Sequence, residues 1–129
     1  LCPNVPAQHA IQVALGGRQS IYELTGTGGR LLRQRNIAYE KLNEIPGVSA
    51  VKPMGSLYLF PRLDPNVYEI HDDAKLMLDI LKAEKILMVQ GTGFNWPNPD
   101  HFRVVTLPWA SQIENAIERL GNFLVSYKQ

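Results

Sequence analysis

The C-terminal segment constrains the fold most. Ile113, Ala116, Ile117, Leu120, Leu124 and Tyr127 recur at three- and four-residue intervals, which lays them along one stripe of an α-helix. Ser111 and Glu114 have the Ser-x-x-Glu spacing of a capping box and predict where that helix starts. A helix with one apolar stripe is stable only when another layer covers the stripe. The rest of the chain must supply that layer.

Its pattern reads helix, helix, strand, strand, helix, strand, strand, helix. A first helix is predicted over about Val5 to Leu15, with Pro6 in its first turn and Gly16-Gly17 ending it. "TGTGGR" (Thr25 to Arg30) reads as a flexible joint. Beyond it, Leu31, Ala38, Leu42 and Ile45 share one stripe of a long helix that Pro46-Gly47 stops. "VSAVKP" and "GSLYLFPRL" predict two short strands, the second ended or put at an edge by Pro61. Asp72 and Asp73 are N-cap candidates for a helix whose stripe is read as Ala74, Met77, Leu78 and Leu81. "ILMV" (Ile86 to Val89) and "HFRVVTL" predict two more strands, joined by a polar, Gly- and Pro-rich loop longer than a usual hairpin connection. The expected product is an α+β two-layer sandwich: a small, mostly antiparallel sheet with helices on one face. Residues 1–27 fit this unit poorly and read as a connector helix and hinge leading from a missing domain. Residues 28–129 form the compact unit. Apolar surface left open on the connector would favour self-association.

Charge excludes some partners. The chain has 129 residues, 13 basic and 12 acidic, for a formal net charge of +1. That balance gives no electrostatic reason to expect nucleic acid or an anionic membrane. Its single cysteine, Cys2, rules out an intramolecular disulfide and suits a reducing, cytoplasmic setting. No apolar run has the length of a membrane span. The chain lacks an initiator methionine and reads as a piece of a longer one.

Few residues could carry chemistry. On the strand "HFRVVTL", Phe102 and Val104 face one side, Arg103 and Val105 the other. With helices on one face, Arg103 lies on the open face, where its planar guanidinium could hold a carboxylate through two parallel hydrogen bonds. The plainer reading of the residues is a surface arginine on a sheet edge, paired with a local acid. "QGTGFN" could cradle an anion or could be a turn that needs glycine dihedrals; it precedes a strand and is no phosphate-binding signature. His71, Asp72 and Asp73 are consecutive and have no second cluster to complete a metal site, so no metal is expected. His101 beside Asp100 could titrate. No Ser–His–Asp set is identifiable, and none of the six lysines stands out as a desolvated nucleophile. Spacing alone leaves no reaction assigned.

Motif order adds what spacing does not. "NVPAQHAIQVAL", "GGRLLRQRNIAYEKLNEIPGVSAVKPMGSLYLFPRL", "ILMVQGTGFN" and "HFRVVTLP" together resemble the C-terminal part of the fold-type I, pyridoxal-phosphate-dependent aminotransferases. Within them, the His-Phe-Arg start and Leu-Pro end point toward the bacterial alanine (glutamate–pyruvate) group. The resemblance implies that Arg103 binds the substrate α-carboxylate. It also implies that Gly91, Gly93, Phe94 and Asn95 shape the active-site mouth and that Tyr58, on the strand opened by Gly55, approaches it. The family's turn often has Pro where Gln90 stands and Gly where Asn95 stands. In this family the cofactor lysine and the other cofactor-binding residues belong to the large domain, and no motif for them occurs here. The resemblance therefore implies an enzyme that needs pyridoxal phosphate at full length, with amino acids and 2-oxo acids as substrates and a homodimeric state. It implies a fragment that is inactive and binds no cofactor by itself. Two other readings use the same residues: a free-standing domain binding a small carboxylate metabolite, and an interaction domain whose open sheet face packs on a partner.

Overall fold

The computed structural model describes residues 2–129. Helix α1 covers Val5–Gly16 and α2 Ile21–Thr25; the longer α3 covers Arg30–Glu44. Strands β1 (Val48–Ser49), β2 (Tyr58–Leu59) and β3 (Arg62–Leu63) follow, then α4 (Asp73–Glu84) and β4 (Val89–Gln90). A 3-10 turn over Gly91–Phe94 leads to β5 (Phe102–Val105) and α5 (Ala110–Ser126). All pairings are antiparallel, and β5 is the middle strand of the order β2-β5-β4. This is the α+β architecture expected from the pattern.

The core lies between this sheet and α3, α4 and α5. Ala38 and Leu42 of α3 meet Ile113, Ile117, Leu120 and Leu124 of α5, all buried. Leu76, Met77 and Ile80 of α4 pack with them, and Leu59, Leu63 and Phe102 close the layer from the sheet side. The α5 stripe read from the sequence is the stripe that is buried.

Four local expectations change. Helix α5 begins before Ser111: Trp109 is its N-cap, and the backbone N–H of Trp109 donates to Gln112 Oε1 at 3.1 Å. Gln112 takes the place of Glu114 at the third helical position, because Pro108 ends the extended segment just ahead of Trp109. The stripe of α4 is rotated. Asp73, Leu76, Met77 and Ile80 are buried, whereas Leu78 is exposed. Leu76, Met77 and Ile80 form an alternative apolar stripe of the same helix, Asp73 lies on it, and only Asp72 acts as the N-cap, accepting from Lys75 N at 2.9 Å. "GSLYLFPRL" is two strands rather than one. Pro61, which has no N–H for the ladder, separates β2, paired with β5, from β3, paired with β1. Finally, a short helix that the pattern did not predict, α2, precedes the expected joint, within which Gly28 adopts φ +82°.

Helix α1 stands apart from the core. Asn4 caps it by accepting from Ala7 N at 3.2 Å, yet none of its residues is buried. Val5, Ile11, Val13 and Leu15 are exposed along it. No helix among the described residues is long and apolar enough to cross a membrane.

Candidate functional site

The open face of the sheet gathers the unusual side chains. Strand alternation puts Phe102 inward and Arg103 outward on β5, and β5 is flanked on both sides. On one side, Tyr58 stands opposite Val105; on the other, Val89 stands opposite Arg103. The central strand is the most rigid position this sheet offers, so Arg103 is anchored by ladders at its backbone.

Two aromatic rings hold its side chain. The guanidinium carbon lies 4.8 Å from the centre of the Tyr58 ring and 4.5 Å from that of Phe94. Both distances fall within cation–π range. No ion pair among the described residues includes Arg103. The local acid weighed from the sequence is therefore not its partner. Arg103 Nε is buried and has no acceptor among the described residues. A buried donor without a partner is costly, and more so on a charged group. The arrangement holds a cation between two rings and leaves its hydrogen bonds to be made by something else. An anion with paired oxygens is the group that suits it chemically.

The turn that carries Phe94 is built tightly. Gly91 donates its N–H to His101 O at 2.8 Å, and a Cβ on Gly91 would sit 2.7 Å from that oxygen. Glycine is needed here for close approach rather than for dihedrals. The left-handed position is Asn95, at φ 60° and ψ 23°. Asparagine tolerates that region better than most residues. Gly93 needs neither: a Cβ there would only touch the Gln90 side chain at 3.5 Å. The N–H and hydroxyl of Thr92 both donate to the Asp73 carboxylate, at 2.9 and 2.7 Å.

Next to Arg103 on the same face is an aromatic and acidic cluster. Phe60 stacks on His101 with ring centres 4.9 Å apart, and Trp96 lies 4.3 Å from His101. Asp100 accepts from Trp96 Nε1 at 2.9 Å and from Arg62 Nε at 3.0 Å, and it contacts His101 Nδ1 at 2.7 Å. Burial pushes the Asp100 carboxyl up. The hydrogen bonds from His101, Arg62 and Trp96 outweigh burial and hold it below the ordinary aspartate value. Phe60, Trp96 and Asp73 were not singled out from the sequence as site residues. The two-residue period linking His101 to Arg103 was the available signal for the cluster. Nothing local signals the Asp73 contact, which spans 19 positions.

No set of three His, Cys, Asp or Glu side chains converges on a possible metal position among the described residues. The lysines are peripheral. Lys41 pairs with Glu44, Lys75 pairs with Asp79, and Lys52 lies over the Tyr39 ring. Lys52, Lys75, Lys82, Lys85 and Lys128 are exposed. None has the dry surroundings that a Schiff-base lysine needs.

Comparison with known proteins agrees with the fold. No family model matches the chain. The alanine aminotransferase of Mycobacterium tuberculosis H37Rv is 73% identical over 129 residues, all of this chain and 30% of that protein. The glutamate–pyruvate aminotransferase of Escherichia coli K12 is 60% identical over the same length, 32% of that protein. The chain matches the C-terminal part of the aminotransferases. The crystal structure of an aminotransferase from Escherichia coli superposes with a TM-score of 0.92 at 59% identity, over 99% of this chain and 32% of the other. The chain thus spans about a third of the length of the aminotransferases it matches. Pyridoxal phosphate is implied by this family. The side chains described above do not fit its anchoring, since no desolvated lysine is among them. What the Arg103 guanidinium fits chemically is an anion.

Proposed function

We propose that this chain is the substrate-carboxylate-binding part of an aminotransferase that exchanges an amino group between alanine and 2-oxoglutarate. The observation that carries the reading is Arg103. Its guanidinium is held on a central strand between Tyr58 and Phe94 without an acid of its own. Such a group binds the α-carboxylate of an amino acid or 2-oxo acid and orients it for reaction. Its rings exclude water from the ion pair and so strengthen it. On this reading Gly91, Gly93, Phe94 and Asn95, on the turn beside Arg103, shape the active-site mouth. Amino donor and acceptor share the α-carboxylate, so one arginine serves both halves of a ping-pong exchange.

The exposed apolar residues of α1 support reading residues 1–27 as a connector to a large domain, with residues 28–129 as the small domain. Gly26, Gly28 and Gly29 lie where a hinge would let the small domain close and bring Arg103 onto the substrate. The full-length protein is read as a cytoplasmic homodimer.

The test is transamination of alanine and 2-oxoglutarate by the full-length protein supplied with pyridoxal phosphate. Ping-pong kinetics are expected, with no turnover from residues 1–129 alone. Turnover by the isolated chain, lost on mutating one of its lysines, would overturn the division of labour. Tight binding of an amino acid to the isolated chain by calorimetry would favour the free-standing binding domain instead.

A further inference from the structure

Asp73 is a carboxylate where a hydrophobe is expected. It occupies the first turn of α4 and is 3% exposed, within the stripe that packs on the core. Burying a carboxylate is unfavourable unless its oxygens are satisfied. Here each oxygen has a partner, and both partners belong to one residue. Oδ2 accepts the backbone N–H of Thr92, and Oδ1 accepts its hydroxyl. The N-terminus of α4 adds the positive end of a helix dipole beside the charge. The contact ties the start of α4 to the 3-10 turn that packs against that helix.

That turn has one consequence on the open face. Two residues beyond Thr92, the Phe94 ring lies against the Arg103 guanidinium. The turn is closed at its far end by Asn95 N donating to Thr92 O at 3.1 Å and Trp96 N donating to Gly91 O at 3.3 Å. Thr92 is therefore held twice: by Asp73 from below and by the turn's own closure. A shift of Thr92 would carry Phe94 with it and uncover one side of Arg103.

We propose that Asp73 is a positioning residue for the Arg103 carboxylate clamp, acting through Thr92 and the ring of Phe94. This rests on the reading of Arg103 as that clamp. Asp73 does not meet substrate. Its carboxylate sets where the turn sits, and the turn sets how far the guanidinium is shielded from water.

The experiment is a double-mutant cycle in the full-length, cofactor-loaded enzyme, using Thr92→Ala, Arg103→Ala and the pair, with Thr92→Ser as the conservative control. Thr92→Ala removes the hydroxyl's bond to Asp73 Oδ1 and keeps the backbone bond to Oδ2, so it loosens the contact at the cost of one unpaired carboxylate oxygen. Thr92→Ala is expected to raise KM for alanine on the order of 3- to 20-fold, the range of coupled neighbours, with kcat within about twofold. Thr92→Ser is expected to restore wild-type KM. In the Arg103→Ala background the Thr92→Ala effect is expected to vanish. If Arg103→Ala is damaging but Thr92→Ala multiplies with it unchanged, Asp73 has only a structural role and the proposal falls alone. If Arg103→Ala leaves kcat/KM unchanged, the clamp reading fails and this proposal falls with it. A melting temperature for each variant separates a loss of fold from a loss of positioning.

Discussion

Replacing Phe94 with leucine in the full-length enzyme isolates what the ring does for Arg103. Phe94 is 44% exposed, so a leucine there retains most of the apolar cover and costs little stability. What it removes is the negative face of the ring, which lies 4.5 Å from the guanidinium carbon. Such a contact contributes about 0.5–1 kcal/mol when exposed and about 2 kcal/mol or more when desolvated. Arg103 is partly buried, so the expected loss is about 1–2 kcal/mol. At 1.4 kcal/mol per factor of ten, KM for alanine should rise roughly 5- to 30-fold. Phe94→Tyr retains the ring and should stay within about twofold of wild type. Steady-state kinetics over a range of alanine concentrations at saturating 2-oxoglutarate measures this directly. The reasoning is refuted if Phe94→Leu matches wild type while Arg103→Ala is crippled, since the ring would then contribute nothing to the clamp.

Other parts of the structure yield tests of their own. The Asp100 carboxyl is held below its ordinary value of 3.8 in the folded state. A depressed carboxylate contributes stability above the unfolded value and loses it as pH falls through the folded value, so Asp100→Asn should flatten the drop in urea midpoint below about pH 4. Leu42, fully buried between α3 and α5, should cost about 2–5 kcal/mol when cut to alanine, read by chemical denaturation. Gly91→Ala would force a Cβ to within 2.7 Å of His101 O, so a lower melting temperature and a higher KM are expected together; an unchanged KM would detach the turn from the site.

The sequence revealed layers better than contacts. The α5 stripe from Ile113 to Leu124 was readable because one period governs all its positions, and the same period lies on the buried face. Strand alternation likewise placed Arg103 opposite Phe102. The α4 sequence offers two apolar stripes, and the buried one, Leu76, Met77 and Ile80, is the one that carries Asp73, whose partner Thr92 lies on a different element. No local pattern can signal a carboxylate satisfied from a distance. The glycine turn was misread for a related reason. Gly91 is required by the His101 backbone passing beside it, while the dihedral that usually marks glycine falls on Asn95. The cation–π cover of Arg103 needs Tyr58 and Phe94 from two separate segments, which only the β2-β5-β4 strand order brings together.

The central claim is that Arg103 recognises a carboxylate, and competitive inhibition tests it by comparing two ligands that do not react. Propanoate and propanamide have the same carbon skeleton and differ in charge. In the full-length enzyme, Arg103→Ala should raise the inhibition constant of propanoate by about 30-fold or more, corresponding to at least about 2 kcal/mol for a lost charged partner. Propanamide should change by less than about twofold. An unchanged inhibition constant for propanoate, or an equal rise for both compounds, would contradict the claim.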